Sequence, residues 1–366
     1  MTARRQQFAR VTATLVGLAL LCEGAASAQS VAPSSITDRV GSVTDSPDQK
    51  KSWVQEKFKG SALTYATYVG TGSFYTSGYR DPYVASVAFV RPAFQLGTKR
   101  ELSLNARLLL EEEHTDPATP NGRRFHMDDT WLYLSAKNLY TVPRAEVKFS
   151  GSLRVILPTS YESQYSHLIA GVGGGGGASR GFEFGTPDAQ GKRWMLAVSL
   201  GTTFTKSIHS SQIRGSEPGD TSGCRSTGPV GGLACPGSVS YTDRCGGPLN
   251  TSFSFMTSGT VDISRGRFSL STSLIIINQF KYSVDPSIWV DSTPNTIPTG
   301  RNDFSWGIVN LGYKATDHFS LGIGVASYQP ALDSRYQNLR FPFFDFSGGA
   351  NANNFTQVYL GLTGTL

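Results

Sequence analysis

His209 and Ser211 are the residues whose types and spacing come nearest to nucleophilic chemistry in this sequence. A histidine can accept the proton of a serine when a third polar residue orients the imidazole ring. The residues that follow, Gln212, Ile213 and Arg214, include no convincing orienting partner. We therefore interpret the region as a serine-rich loop with one histidine, and we predict that the protein is not an enzyme.

An acidic cluster is the second place where chemistry could occur. It consists of Glu111, Glu112, Glu113, His114 and Asp116. Oxygen ligands of this kind suit calcium, but a solvated acidic rim is the commoner use of such a cluster. The sequence predicts neither a metal site nor a cofactor.

The glycine run from Gly171 to Gly177 only superficially resembles a phosphate-binding loop. No Gly-Lys-Ser/Thr follows the run and no helical pattern begins after it, as such a loop requires. In a strand, glycine permits bending and close approach of another group. We expect a curved wall there, against which an N-terminal helix could pack.

The composition excludes two broad classes of protein. Of the 366 residues, 16% are charged, against roughly 25% in soluble proteins. The mean hydropathy of −0.20 excludes a helical membrane protein, and an aromatic content of 11% excludes a disordered chain. With 40 glycines, a glycine-rich, all-β protein remains. The net charge of +6 is too small a surplus to indicate nucleic-acid binding.

Residues 1–28 have the pattern of a signal peptide. Arg4, Arg5 and Arg10 form a positive segment, residues 11–21 are apolar, and small residues surround position 28. The apolar run is shorter than the roughly 20 residues that span a membrane. We predict a mature chain that begins near Gln29, then a periplasmic segment over 29–60. That segment contains a short helix over about 47–59, with Ser46 as N-cap and Gly60 as C′ residue.

Three cysteines of the mature chain, Cys224, Cys235 and Cys245, lie in one Gly/Ser/Pro-rich stretch. Two of them are expected to pair in an oxidising compartment, and the sequence does not decide which two. Their spacing lacks the close Cys pair that is typical of structural zinc sites.

After residue 60 the apolar residues recur with a period of two over segments of ten or more residues. In 102–111, for example, Leu104 and Leu108 share one face, while Arg107 and Glu111 share the other. This length matches the 9–11 residues with which a tilted strand crosses a bilayer. Twelve strands are predicted, at 62–74, 84–96, 101–113, 125–137, 145–157, 166–184, 193–207, 251–263, 267–282, 303–314, 319–329 and 354–366.

The connections alternate between short turns and long loops, which is typical of outer-membrane barrels. Over 61–366 the chain resembles the bacterial outer-membrane β-barrels of the porin-like kind. Its last strand, Phe355 to Leu366, is similar to the signal that the barrel-assembly machinery reads. The resemblance implies an antiparallel, up-and-down transmembrane barrel of about 12 strands. It also implies contact with outer-membrane lipid and lipopolysaccharide, and two periplasmic termini. The alternative is a secreted β-sandwich or lectin, whose strands are shorter.

The function predicted from this fold is passive diffusion of small hydrophilic solutes, with a mild preference for anions. An anchor for an envelope machine, adhesin or export complex is the alternative. The inward faces supply the candidate lumen residues, because charged rings set the selectivity of a pore. These candidates are Arg107, Lys148, Arg154, Lys281, Glu146 and Glu111.

Overall fold

The computed structural model describes residues 53–74, 82–97, 102–115, 124–188, 191–212, 249–283, 300–331, 338–344 and 355–366. Strands dominate these ranges. They are β1 (Ala62–Gly70), β2 (Val84–Arg91), β3 (Ala93–Gly97), β4 (Leu102–Glu113), β5 (Phe125–Met127), β6 (Thr130–Val142), β7 (Val147–Leu157), β8 (Leu168–Phe184), β9 (Trp194–His209), β10 (Thr251–Arg265), β11 (Phe268–Lys281), β12 (Arg301–Lys314), β13 (Phe319–Pro330) and β14 (Thr356–Thr365).

The strands form one closed, antiparallel barrel in which each strand pairs with its neighbours in the chain, when β2 with β3 and β5 with β6 are each counted as one interrupted strand. The ring closes where β1 pairs with β14 over nine residues, from Ala62 opposite Thr365 to Gly70 opposite Gln357. Closure leaves no unpaired sheet edge, so the backbone groups of every strand can be satisfied inside the sheet. The predicted all-β barrel of 12 strands is thereby confirmed.

Two of the predicted strands are interrupted, and each is counted as one strand of the barrel, so the fourteen segments make twelve strands. Pro92 separates β2 from β3 because proline has no backbone N–H with which to continue the ladder. Asp128 and Asp129 separate β5 from β6. Beyond this interruption β6 runs to Val142, five residues past the predicted end.

One end of the barrel carries short turns together with the two ends of the described chain. β10 and β11 are joined by only Gly266 and Arg267, and Gly266 adopts a φ of +61° that favours glycine. The Gly60 amide donates to the Leu366 carbonyl at 3.0 Å. In the turn before β13, His318 Nδ1 lies 3.1 Å from the Thr365 carbonyl oxygen. These contacts place the short turns and both chain ends at the same rim.

Two short helices flank the barrel, α1 (Trp53–Lys57) and α2 (Tyr161–Tyr165). α1 ends at Lys57, two residues before the predicted end, so Gly60, which has a φ of +89°, lies in the turn beyond the helix and not at its C′ position. The predicted N-cap, Ser46, lies outside the described residues. The Phe58 ring packs 5.6 Å from Phe94 of β3, so this part of the segment lies at the rim. α2 is capped by Ser160, whose hydroxyl accepts from the Ser163 amide at 3.0 Å. No described helix is long and apolar enough to cross a membrane.

Candidate functional site: the barrel lumen

The inward face of the barrel follows from strict alternation along the strands. On β4, Ser103, Arg107 and Glu111 are buried, whereas Leu104 on the opposite face is about half exposed. The register carries this phase to the neighbouring strands, since Val87 on β2 lies opposite Glu111. Small polar residues predominate among the inward side chains of β7–β10, whereas the other strands combine polar inward residues with large apolar ones, so the lumen has two different walls.

The apolar wall consists of inward side chains from β1, β2, β4 and β11–β14. They pack into one buried cluster: Ala66, Tyr68, Val87, Phe89, Leu109, Ile275, Ile277, Trp306, Ile308, Ala326 and Tyr359. Tyr359 crosses Gly324 and donates a hydrogen bond to Asn310 Oδ1 at 3.1 Å. A Cβ on Gly324 would lie 2.6 Å from that hydroxyl oxygen. The glycine therefore makes room for a long side chain that lies flat along the wall.

The polar wall consists of small inward residues on β7–β10. They are Ser150, Ser152, Gly173, Gly175, Gly177, Ser179, Ser199, Gly201, Thr203 and Ser258, as the register of these strands shows. A Cβ on Gly173 would lie 2.0 Å from the Phe204 carbonyl oxygen, and one on Gly175 would lie 2.6 Å from the Thr202 carbonyl oxygen. Only glycine fits at these positions because the backbone of β9 approaches so closely. The glycine run thus serves the close approach of two strands.

Between the two walls, Arg107 and Arg154 stack on Trp131 of β6. The two guanidinium carbons lie 4.4 Å and 4.9 Å from the indole ring centroid, within the range of cation–π attraction. Arg154 also crosses Gly173 and donates from Nε to the Thr205 hydroxyl at 2.8 Å. The predicted candidates Arg107 and Arg154 are thus brought together on the lumen side, and both are buried against the wall.

Asp128 and Asp129 are functional residues that our sequence reasoning missed. Asp128 forms an ion pair with Arg107 at 3.2 Å, while Asp129 accepts from the Ser160 amide at 3.0 Å and from the Ser163 hydroxyl at 2.5 Å. Two adjacent carboxylates therefore connect a lumen arginine to the capped helix α2. The signal that could have revealed them is an acidic pair inside an otherwise alternating strand.

Glu111, the acidic lumen candidate, faces inward and is buried. The Tyr83 hydroxyl, which lies just before β2, donates to Glu111 Oε1 at 2.7 Å. Burial, together with the charge of Glu111, raises the pKa of Tyr83 well above its ordinary value. Tyr83 therefore keeps the hydroxyl proton that it donates to Glu111.

The remaining candidates lie apart from this cluster. Lys148 shares the inward register with Ser179 near the short-turn end and is exposed, and Lys281 ends β11 at the opposite rim. Glu146 lies in the turn before β7 with a φ of +54°, not on a strand. The three cysteines, Cys224, Cys235 and Cys245, lie outside the described residues.

Neither His209 nor the acidic cluster forms a reactive group of side chains among the described residues. The His209 ring lies edge-on to Tyr282 at 5.8 Å, and its Nδ1 is buried without a hydrogen-bond partner among the described residues. The residues of the acidic cluster do not form one site. Glu111 faces the lumen, whereas His114 Nε2 lies 2.7 Å from the Ser86 hydroxyl. In the part of the chain that the structure describes, no three metal-ligating side chains converge.

The outward face decides what kind of barrel this is. Large aliphatic side chains are about half exposed or more around the whole circumference: Leu63, Leu104, Leu153, Leu200, Leu311, Ile323 and Leu360. Exposed aromatic residues Trp194, Phe268 and Phe319 follow at the short-turn rim. An apolar band bordered by aromatic girdles is the surface that a bilayer requires. The fold is that of an outer-membrane β-barrel.

Neither a family model nor a curated protein matches the sequence. Among solved structures, the chain is similar to an outer membrane channel from Pseudomonas putida F1, at 10% identity and a TM-score of 0.43, over 88% of this chain and all of that one. It is also similar to the transport unit of the autotransporter AIDA-I from Escherichia coli, at 7% identity and a TM-score of 0.32, over 90% and 95% of the two chains. A third similar structure is the outer membrane protein opdK from Pseudomonas aeruginosa, at 10% identity and a TM-score of 0.27, over 84% and 98%. At such identities the likeness concerns the fold alone.

Proposed function

We propose that this protein is an outer-membrane channel through which small hydrophilic solutes diffuse passively. The observation that carries the proposal is the polar wall, where glycine, serine and threonine face inward on β7–β10. Side chains this small leave space in the lumen, whereas larger ones would fill it. Ser150 and Ser179 on this wall are exposed although they face inward, which supports a water-filled path beside them.

The proposed orientation of the barrel in the membrane follows from the rim that carries the short turns. We infer that the short-turn end, with both termini, is periplasmic and that the long connections lie on the extracellular side. Residues 1–28 are then the signal peptide, 29–60 the periplasmic segment and 61–366 the barrel that reaches the membrane through the assembly machinery. Lipopolysaccharide would contact the outward-facing band at the other rim.

We also propose that the channel mildly prefers anions. Asp128 forms an ion pair with Arg107, so Arg154 carries the preference more than Arg107 does. Charged groups in a low-dielectric lumen focus their field on passing ions. The preference should weaken as salt shortens the reach of each charge.

The experiment is a recording of purified full-length protein in a planar lipid bilayer under a KCl gradient. We expect discrete current steps and an anion-directed reversal potential, which Arg154→Gln shifts toward zero. A cation-directed potential for the natural protein would contradict the proposed selectivity while leaving the channel itself intact.

A non-transporting anchor is the second candidate, and one observation favours it. The apolar wall is buried, so that part of the lumen is filled with side chains. An anchor with a filled lumen passes no current under the same recording, which separates the two functions.

A further inference from the structure

The lipid-facing band is too short on one side of the barrel. On β13 the outward residues are apolar from Phe319 to Val325 and become polar at Ser327 and Gln329. The six residue-to-residue steps from Phe319 to Val325, at ~3.3 Å each and tilted by ~40°, cover ~15 Å of membrane height, against an apolar band of about 25 Å. On β10, by contrast, the outward face ends on Phe253 and Phe255 at the rim where β13 is polar. Thr257 and Gly259 interrupt this face, but its apolar ends, Phe253 and Ile263, are ~25 Å apart by the same arithmetic.

The neighbouring strands share this shortfall. In the register, Ser327 lies between Gly307 of β12 and Thr356 of β14, and Gln329 lies opposite Ser305. Four of these five outward positions carry polar side chains, and the fifth is glycine. All four polar residues are nevertheless buried. Another part of the chain must therefore cover the outer surface of the barrel around Ser327.

The cover is the segment 338–344, which we call the elbow. A Cβ on Gly307 would lie 2.2 Å from the Pro342 carbonyl oxygen, so the elbow backbone rests directly on the outer surface of β12. The Gln329 side-chain amide donates to the Phe341 carbonyl. At its start, the Arg340 amide donates to the Ala331 carbonyl at 2.9 Å, which ties the elbow to the end of β13.

The surface that the elbow presents is apolar. Leu339 is 80% exposed, Phe341 57% and Phe344 48%, and the Phe341 ring packs against those of Phe343 and Phe344 at 5.8 Å and 4.8 Å. This aromatic surface continues the aliphatic band of Val309, Val325 and Val358. These valines are the next outward residues, two positions along each strand toward the short-turn rim, after Gly307, Ser327 and Thr356. It occupies the part of the membrane height that the strands leave polar.

We propose that the elbow is embedded in the outer leaflet, where its exposed side chains contact lipid acyl chains. This proposal rests on the proposed placement of the barrel in the outer membrane. The occupant is lipid because the elbow is continuous with the lipid-facing band. Fluid chains can also surround protruding side chains such as Leu339 without a complementary rigid surface. The elbow thus completes the hydrophobic belt with a connection that leaves the barrel and folds back over its exterior.

The test places the photoreactive residue p-benzoylphenylalanine at position 341 of the full chain. A second variant carries it at Ile323, in the middle of the band, and a third at Asp317, in the exposed short turn. Each is reconstituted in vesicles of phosphatidylethanolamine and phosphatidylglycerol with tritiated acyl chains and then irradiated. Heat-modifiable migration on a gel confirms that each variant has folded.

We expect a lipid adduct at position 341 within about threefold of the yield at 323, because both positions face acyl chains, and little at 317. An adduct at 323 without one at 341, or a cross-linked protein dimer at 341, would overturn the elbow proposal alone. If neither 323 nor 341 labels lipid, the membrane placement itself fails, and the elbow proposal fails with it.

Discussion

The two walls of the lumen use glycine for opposite purposes. On the polar wall, glycines such as Gly173 and Gly175 stand where β9 comes so close that no side chain fits. On the apolar wall, Gly324 lies beneath Tyr359, whose ring fills the space that the glycine leaves. The polar wall carries small inward side chains, while the apolar wall carries large ones that pack into a buried cluster.

The difference shows that a barrel of this size need not be uniformly open or uniformly filled. Its interior combines a buried core, which contributes stability through apolar burial, with a polar strip of small residues along which we propose that solutes pass. Arg107, Trp131 and Arg154 mark the boundary between the two. The account therefore predicts that stability depends mainly on one wall and permeation on the other.

The largest effect on stability should come from placing a charge on the lipid-facing side of a strand instead of the lumen-facing side. The comparison of the two walls depends on this assignment of sides. Leu153 faces outward on β7 and is 64% exposed, so Leu153→Arg places a charge against lipid at a cost of roughly 2–4 kcal/mol. Ser152→Arg, one residue away, faces the lumen and should be tolerated. Urea unfolding of the refolded proteins in vesicles measures both. Equal losses would show that the inward phase is wrong.

A smaller loss should follow from thickening the polar wall. Gly173→Ala forces a Cβ against the backbone of β9 and should destabilise the barrel by roughly 1–3 kcal/mol. Gly176→Ala is the matched control, because its Cβ would point outward with its nearest neighbour at 3.5 Å. The same unfolding measurement compares them. If the two variants are equally stable, the close approach of β8 and β9 is not a constraint.

The smallest effect should come from single hydroxyl groups on the apolar wall. Tyr359→Phe removes the bond to Asn310 and should cost about 0.5–1.5 kcal/mol. Tyr328→Phe removes a buried hydroxyl that has no partner among the described residues, so it should be neutral or stabilising. The difference between the two free energies of unfolding is the measured quantity. A loss in Tyr328→Phe as large as in Tyr359→Phe would mean that ring packing, not the hydrogen bond, is being perturbed.

The strands could be predicted from the sequence because alternation is a local signal. Ten or more residues with a period of two identify β4, β7 and β11 without knowledge of their neighbours, and the phase of Leu153 and Arg154 is the one observed. For the glycine run the sequence predicts a curved wall against which an N-terminal helix could pack. The structure instead brings the backbone of β9 against the run, while Phe58, just after α1, packs on Phe94 of β3.

The contacts inside the lumen could not be predicted in the same way. The pair of Arg107 with Asp128 joins residues that are 21 apart across an interrupted strand, and Arg154 reaches Thr205 across β8. Both depend on register and closure, which the period of a single strand does not encode. The elbow could not be predicted for a related reason, since its aromatic residues gain meaning only against the short outward face of β13.

The most direct test of the central claim compares the accessibility of the two walls to water while the channel conducts. Ser179 on the polar wall and Ala326 on the apolar wall lie on one continuous register, through Ser199, Thr260, Ser273 and Ile308. Each is replaced by cysteine, and the bilayer current is recorded before and after addition of 2-sulfonatoethyl methanethiosulfonate, with the natural protein as the baseline. The account predicts that the reagent reduces the current of Ser179→Cys and leaves that of Ala326→Cys at the baseline. A current reduced only in Ala326→Cys would contradict it, because solutes would then pass along the wall that we describe as filled.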